Sequence, residues 1–357
     1  MHTYLILPIG GRSTRFNATR PKWMLTHPSG CLMITEAIRG LDLDKFEKII
    51  LITIGDHEKK YSFKKQLIDE LVGEYSLNPK HIEVVLLNEQ TESQPETIYT
   101  GLKSLKINEG SILIKDSDNY FKFDHEDDEP GGYVATSCLH DHNKICPGNK
   151  SYIKVGERGL ISNIIEKQII SNDFCVGAYF FKDVNSFYSS YEDVKDMSGE
   201  IHVSHIIYDD ILKGGAYFSK KVSGYLDWGT SEDWNEFTSQ YKTLFLDIDG
   251  VLVENSAHHF KPFWGTTDPI KENIDAVQKM YESGKAYIIL TTSRTEDYRL
   301  QTEEQLATAN LNYHKLVMGL PHGQRVLIND FASTNSYPSA TAINLPRNSN
   351  QLGNYLK

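Results

Sequence analysis

The chain has 357 residues, 39% of them hydrophobic, and a net charge of -11; this is enough for two cores, since single domains run about 100 to 250 residues. An acidic surplus with no lysine and arginine cluster to offset it argues against a nucleic-acid partner. No apolar run approaches the roughly 20 residues that span a bilayer, Met1-His2-Thr3-Tyr4 lacks a signal peptide's basic start, and four cysteines are too few for a disulfide framework, so a cytoplasmic location is expected.

In chain order, residues 4–7 form an apolar run suited to a buried parallel strand, ended by Pro8. Gly10 and Gly11 allow a tight turn whose N–H groups face a ligand, and Arg12, Arg15 and Lys22 add the cations a triphosphate requires. A helix is predicted over 32–41, a strand over 48–54, a helix over 59–75, strands over 82–87 and 111–115, and a helix over 95–104 between them. Such alternation implies an α/β sheet with helices on both faces and ligands at the carboxyl ends of its strands. Asp116-Ser117-Asp118 stands at one such end. Its carboxylates suit Mg²⁺ shared with nucleotide phosphate, and equally suit a plain turn. Further on, residues 126–129 read as an exposed acidic loop and 141–150 as a solvated hairpin or flap. The cluster of Cys138, His140, His142 and Cys146 matches no common zinc spacing. Residues 172–181 read as a strand, 231–242 as a final helix and 243–246 as the first strand of a new domain, which puts the domains at 1–240 and 241–357.

The string Gly10-Gly11-Arg12-Ser13-Thr14-Arg15-Phe16 followed by Pro21-Lys22 resembles the nucleotide-binding loop of the sugar-phosphate nucleotidyltransferases. That resemblance implies a GT-A-like mixed sheet. It assigns nucleotide binding to Gly10, Gly11 and the loop residues Arg12 and Ser13, the departing pyrophosphate to Arg15, and the phosphate under attack to Lys22. It implies a metal site at Asp118 and, through Leu226-Asp227-Trp228-Gly229-Thr230, at Asp227. Glu166, Lys167 and Gly177 fall on the family's sugar pocket. Residues 91–97, with Gln94, fall where the base is read, although Ser93 replaces the family's glycine and leaves the base open.

Asp247-Ile248-Asp249-Gly250-Val251-Leu252 resembles the first motif of the haloacid dehalogenase superfamily phosphatases. Two carboxylates one residue apart at a strand end point to the same side, so one can attack phosphorus while the other moves a proton. The resemblance makes Asp247 the nucleophile and Asp249 the acid and base. A strand over 286–290 leads to Thr292, the phosphoryl ligand, and one over 326–328 leads to Asp330, which joins Asp247 and Asp249 around the metal. His322 or Arg325 stands in for the family's lysine, Asn329 replaces a common aspartate, and the intervening segments leave no room for a cap domain.

Together the resemblances imply a bifunctional enzyme with Mg²⁺ as cofactor and with a nucleoside triphosphate and a sugar or polyol phosphate as partners. The first domain makes an activated sugar or polyol for capsule or surface polysaccharide, and the second removes a phosphate from a pathway compound. A homo-oligomer is compatible with this reading. The rivals are a glycosyltransferase, which shares a related fold and metal site, and a nucleotidyltransferase whose second domain is catalytically silent.

Overall fold

The computed structural model describes residues 2–11, 20–125, 130–142, 145–330 and 339–356. Arg12, Ser13, Arg15 and the acidic loop 126–129 lie outside the described residues. The chain divides into two compact units, 1–234 and 235–357, a division that falls within a helix just before the boundary at 240 drawn from the sequence. No described helix is long and apolar enough to cross a membrane.

The first unit contains, in order, β1 (Thr3–Pro8), α1 (Met33–Ile38), β2 (Lys48–Ile54), α2 (Gly55–Tyr61), α3 (Lys64–Tyr75), β3 (Ile82–Leu87), α4 (Gln94–Ser104), β4 (Ser111–Lys115), β5 (Asn119–Lys122), β6 (Gly132–Cys138), β7 (Ser151–Val155), β8 (Ile161–Glu166), β9 (Asp173–Phe181), α5 (Val184–Val194), α6 (Val203–Leu212), β10 (Tyr217–Lys221) and β11 (Ser223–Asp227). Helix α7 (Ser231–Ser239) runs across the division. Nine of the described strands form one mixed sheet with the order β10-β6-β9-β4-β1-β2-β3 and with β7 and β8 off this path. The strands β4, β1, β2 and β3 run parallel, while β9 is antiparallel to both β4 and β6.

Alternation along the central strands explains why both faces are covered. Leu5, Leu7, Ile49, Leu51 and Leu113 point into one core with α1 and α3. Ile6, Ile50, Ile52, Ile112 and Ile114 point into the other with α4, α5 and α6. A strand buried on both sides reads as a continuous apolar run, which is how β1, β2 and β4 appear in the sequence. The helix expected over 59–75 is instead two, because Ser62 takes a left-handed conformation (φ 48°) and ends α2 by donating its N–H to Glu58 O. Apolar spacing does not report such a cap.

The second unit contains β12 (Lys242–Asp247), α8 (Lys271–Glu282), β13 (Ala286–Thr291), α9 (Arg299–Thr308) and β14 (Lys315–Val317). The three strands form a parallel sheet in chain order, over a core of Leu246, Ile248, Val277, Ile288, Leu290 and Leu306. The strand expected over 326–328 is absent from these elements. Those residues belong to no strand and pair with no described segment, and Ile328 is 89% exposed. Their β-branched composition favours a strand only where a neighbouring edge accepts their backbone groups.

Candidate functional site

In the first unit, an open cleft of ≈ 690 Å³ lies along the carboxyl ends of β1 and β4. Gly10 and Gly11 follow β1 on one wall, anchored where Ile9 N–H donates to Ile52 O (2.8 Å). Neither glycine has the left-handed φ that a tight turn would demand. Among the described residues a Cβ on Gly11 would meet nothing within 4 Å, so at this position the small residue is not relieving strain.

Both aspartates assigned to a metal come to this cleft on the two-stranded antiparallel pair β5–β11, where Asp227 stands opposite Asn119 and Trp228 N–H donates to Asp118 O (2.9 Å). They flank Gly229: a Cβ there would stand 3.1 Å from Asp227 Oδ1 and 3.7 Å from Asp118 Oδ2. Lys22, on a short 3₁₀ turn, pairs with Asp118 Oδ2. Burial works to raise the Asp118 carboxyl, but the charge and hydrogen bond of Lys22, helped by Lys150 and Lys115, outweigh it and hold it at about 2. Asp116 is the reverse case: burial and the Asp118 charge push it up to about 6 against a hydrogen bond from Gln94 Nε2 (2.5 Å).

A donor set of two hard carboxylates facing one point fits a divalent ion, which takes hard oxygen ligands. Among the described residues no three His, Cys, Asp or Glu side chains converge as metal ligands.

Beneath the pair lies Lys115, fully buried at the end of β4. Its Nζ donates to Asp116 O (2.7 Å), Asn119 O (3.0 Å) and Asn119 Oδ1 (2.5 Å), which uses all three donors and fixes the turn carrying Asp116 and Asp118. Gly177, on β9, has a φ of +81°, and a Cβ there would overlap Asp116 Oδ2 and stand 2.8 Å from Asn119 Nδ2. It makes room for the aspartate turn. Gly177→Ala is accordingly expected to lower stability by about 1–3 kcal/mol, the cost of a residue held in a disfavoured backbone region, and to displace Asp116. Thermal unfolding that matches the unsubstituted protein would rule this out.

On the opposite wall, Glu166 Oε2 accepts hydrogen bonds from Ser151 Oγ and Ser204 Oγ (2.8 Å for the latter). Its Oε1 has no partner among the described residues, so it is an acceptor turned to the cleft it lines. Lys167 follows with φ +55° and lies 3.3 Å from His202 Nε2. Gln94 opens α4, and Ser93 caps that helix by accepting from Glu96 N–H (3.2 Å), which gives the serine at the family's glycine position a structural use.

Lys150 was placed in a solvated flap by its sequence surroundings; the structure corrects this. Pro147–Asn149 forms a 3₁₀ turn that delivers Lys150 to the start of β7 with its side chain largely covered, 2.5 Å from Asp227 Oδ2 and 2.9 Å from Tyr225 Oη. Nothing in local spacing marks it, because its partners lie on β11, far along the chain.

In the second unit, Asp247 ends β12, Thr292 follows β13, and Thr292 N–H donates to Val317 O (3.0 Å). Arg325 lies 4.0 Å from Asp247 Oδ1, whereas His322 is exposed. Asp249 is held by Arg294, whose Nε and Nη2 donate to Oδ2 (2.9 Å) and Oδ1 (2.8 Å), and Ser256 Oγ adds a bond to Oδ1 (2.6 Å). Arg294 is wholly buried and spends its Nη1 on Thr302 Oγ1 and Gln305 Oε1. A carboxylate with both oxygens taken by donors is poorly placed to deliver a proton. Asp330 is also not where a shared metal site requires it: it is exposed, and among the described residues it joins no convergent group with Asp247 and Asp249. Without a paired strand over 326–328, nothing carries it to the end of β12.

No protein-family model matches the chain, and no curated protein matches its sequence. Solved structures do match its fold. The nucleoside-diphosphate-sugar pyrophosphorylase from Vibrio cholerae RC9 aligns over 98% of its own chain and 65% of this one, with a TM-score of 0.56 and 18% identity. The inositol-1-phosphate CTP transferase from T. maritima aligns over 90% of its chain and 64% of this one (TM-score 0.50, 15% identity). A UDP-glucose pyrophosphorylase solved with UDP-glucose aligns over 97% and 66% (TM-score 0.50, 17% identity). At such identities the likeness establishes a shared fold, a mixed α/β sheet built like those of sugar-phosphate nucleotidyltransferases.

Proposed function

We propose that the first unit transfers a nucleotidyl group from a nucleoside triphosphate to a sugar or polyol phosphate. The observation carrying this reading is the meeting of Asp118, Asp227 and Lys22 beside Gly10 and Gly11 in one cleft. An acceptor phosphate oxygen bonds to the α-phosphorus as the bond to the β-phosphate breaks, and the electron pair leaves with pyrophosphate. Catalysis is then positioning and charge neutralisation. Lys22 neutralises phosphate charge, Glu166 Oε1 accepts a hydroxyl of the sugar or polyol, and Lys167 meets the acceptor phosphate. Magnesium held by Asp118 and Asp227 would supply further neutralisation of phosphate charge. The neighbouring solved structures include proteins named for nucleotide-sugar and CTP chemistry, which supports the reading.

For the second unit we propose a phosphatase with Asp247 as nucleophile, acting on a phosphate of the same pathway, in a cytoplasmic route to surface polysaccharide. The clamp of Arg294 on Asp249 favours a second reading, a catalytically silent module. One experiment separates them. The purified protein is given each of the four triphosphates with a panel of sugar and polyol phosphates and Mg²⁺, and pyrophosphate and phosphate are measured apart. Asp247→Asn is expected to abolish phosphate release and leave pyrophosphate release intact. Phosphate release from no substrate by the unsubstituted protein would leave the silent module, and pyrophosphate release from no pair would reject nucleotidyl transfer.

A further inference from the structure

We propose that Lys150 is an internal counter-cation which, together with Lys22, occupies the aspartate pair in the ligand-free protein and yields it only to a triphosphate, so that metal ion and nucleotide enter the cleft as one unit. The inference rests on the nucleotide reading of the cleft.

Each aspartate of the pair has its own lysine: Asp118 Oδ2 meets Lys22, and Asp227 Oδ2 meets Lys150. The second oxygen of Asp227 is taken by Gly229 N–H (3.1 Å). The two carboxylates and the two ammonium groups balance one another. A divalent ion arriving alone meets carboxylates that are already balanced and must displace Lys150, whose charge would then keep only the neutral hydroxyl of Tyr225. A triphosphate removes this obstacle by offering the lysines new anionic partners, which frees the carboxylates for the ion.

Lys150 is built for such an exchange. Its Nζ has two acceptors among the described residues, Asp227 Oδ2 and Tyr225 Oη, and an ammonium carries three donors, so one remains for a phosphate oxygen. Lys115, by contrast, spends all three donors on the turn and has none to exchange. The backbone of Lys150 also accepts from Lys167 N–H (2.9 Å), which ties it to the wall that receives the acceptor substrate.

Mn²⁺ serves as the probe, with binding read as loss of the free-ion spin-resonance signal, with and without α,β-methylene analogues of the four triphosphates. The unsubstituted protein is expected to bind Mn²⁺ weakly alone and at least about tenfold more tightly with an analogue, a usual coupling size. Lys150→Met is expected to bind Mn²⁺ about tenfold more tightly without nucleotide and to show a smaller gain when the analogue is added. Tyr225→Phe, which takes away the acceptor left to a displaced Lys150, should bind Mn²⁺ more weakly than the unsubstituted protein in the absence of nucleotide, and decides the matter if Lys150→Met fails to fold. Nucleotide-free Mn²⁺ binding that is unchanged or weaker in Lys150→Met, or unchanged or tighter in Tyr225→Phe, overturns the inference while leaving nucleotidyl transfer standing. Failure of every analogue to bind overturns both.

Discussion

Replacing either Asp118 or Asp227 by asparagine is expected to lower nucleotidyl transfer at least about a hundredfold, the scale on which loss of one preorganised charge-stabilising group is felt in a closed site. Asparagine keeps the shape of the side chain, and the β5–β11 pairing that presents it uses backbone groups only, so the fold should survive. What disappears is the charge that a divalent ion requires and that Lys22 or Lys150 now balances. The measurement is pyrophosphate release as a function of magnesium concentration, with circular dichroism as the fold control. Retention of the unsubstituted rate and magnesium dependence by both variants would place the metal site elsewhere. Phosphate release from the second unit should be unaffected, because its carboxylates lie on a different sheet.

Arg294→Met is expected to destabilise the second unit by about 3–5 kcal/mol, the usual cost of stripping one partner from a buried ion pair. Arg294 has no exposed surface, and it joins the end of β12 through Asp249 to α9 through Thr302 and Gln305. Methionine fills similar volume but leaves the Asp249 charge with only Ser256 and a long contact from Thr292. Amide hydrogen exchange at Leu246 and Ile288 reads this unit separately, and protection there should fall on the order of a hundredfold or more. The double variant Arg294→Met/Asp249→Leu should recover part of the loss, since no unpaired charge remains. Exchange within about threefold of the unsubstituted protein would show that the clamp does not hold the unit together.

What sequence pattern reports and what it does not can be seen in particular residues. The strands β1, β2, β3 and β4 are legible because burial on both faces leaves continuous apolar runs between polar breaks. Asp118 and Asp227 are legible as motifs, but their meeting is not, since it depends on pairing between distant strands. Lys150 is invisible for the same reason: its role is defined by Tyr225 and Asp227, and its neighbours in sequence are turn residues that suggest solvent. Residues 326–328 show the opposite failure. Their composition is that of a strand, yet a strand is a relation between two segments, and no described segment pairs with this one. Arg294 stands in plain view close after Thr292, but only geometry shows its paired bonds to Asp249.

The β5–β11 pair also bears on how the protein comes into being. Asp118 is laid down before most of the large sheet, and Asp227 arrives as almost the last residue of the first unit. Closing so long a loop is among the slower steps of folding, because its entropy must be spent before the contact rewards it. The large sheet can assemble from β1, β4, β9 and β6 without this closure. A chain whose large sheet forms before β11 docks has only one of the two aspartates in place. Nucleotide added during refolding should stabilise only the closed product, so protection from proteolysis near β11 should respond to it while protection of β1 and β2 does not.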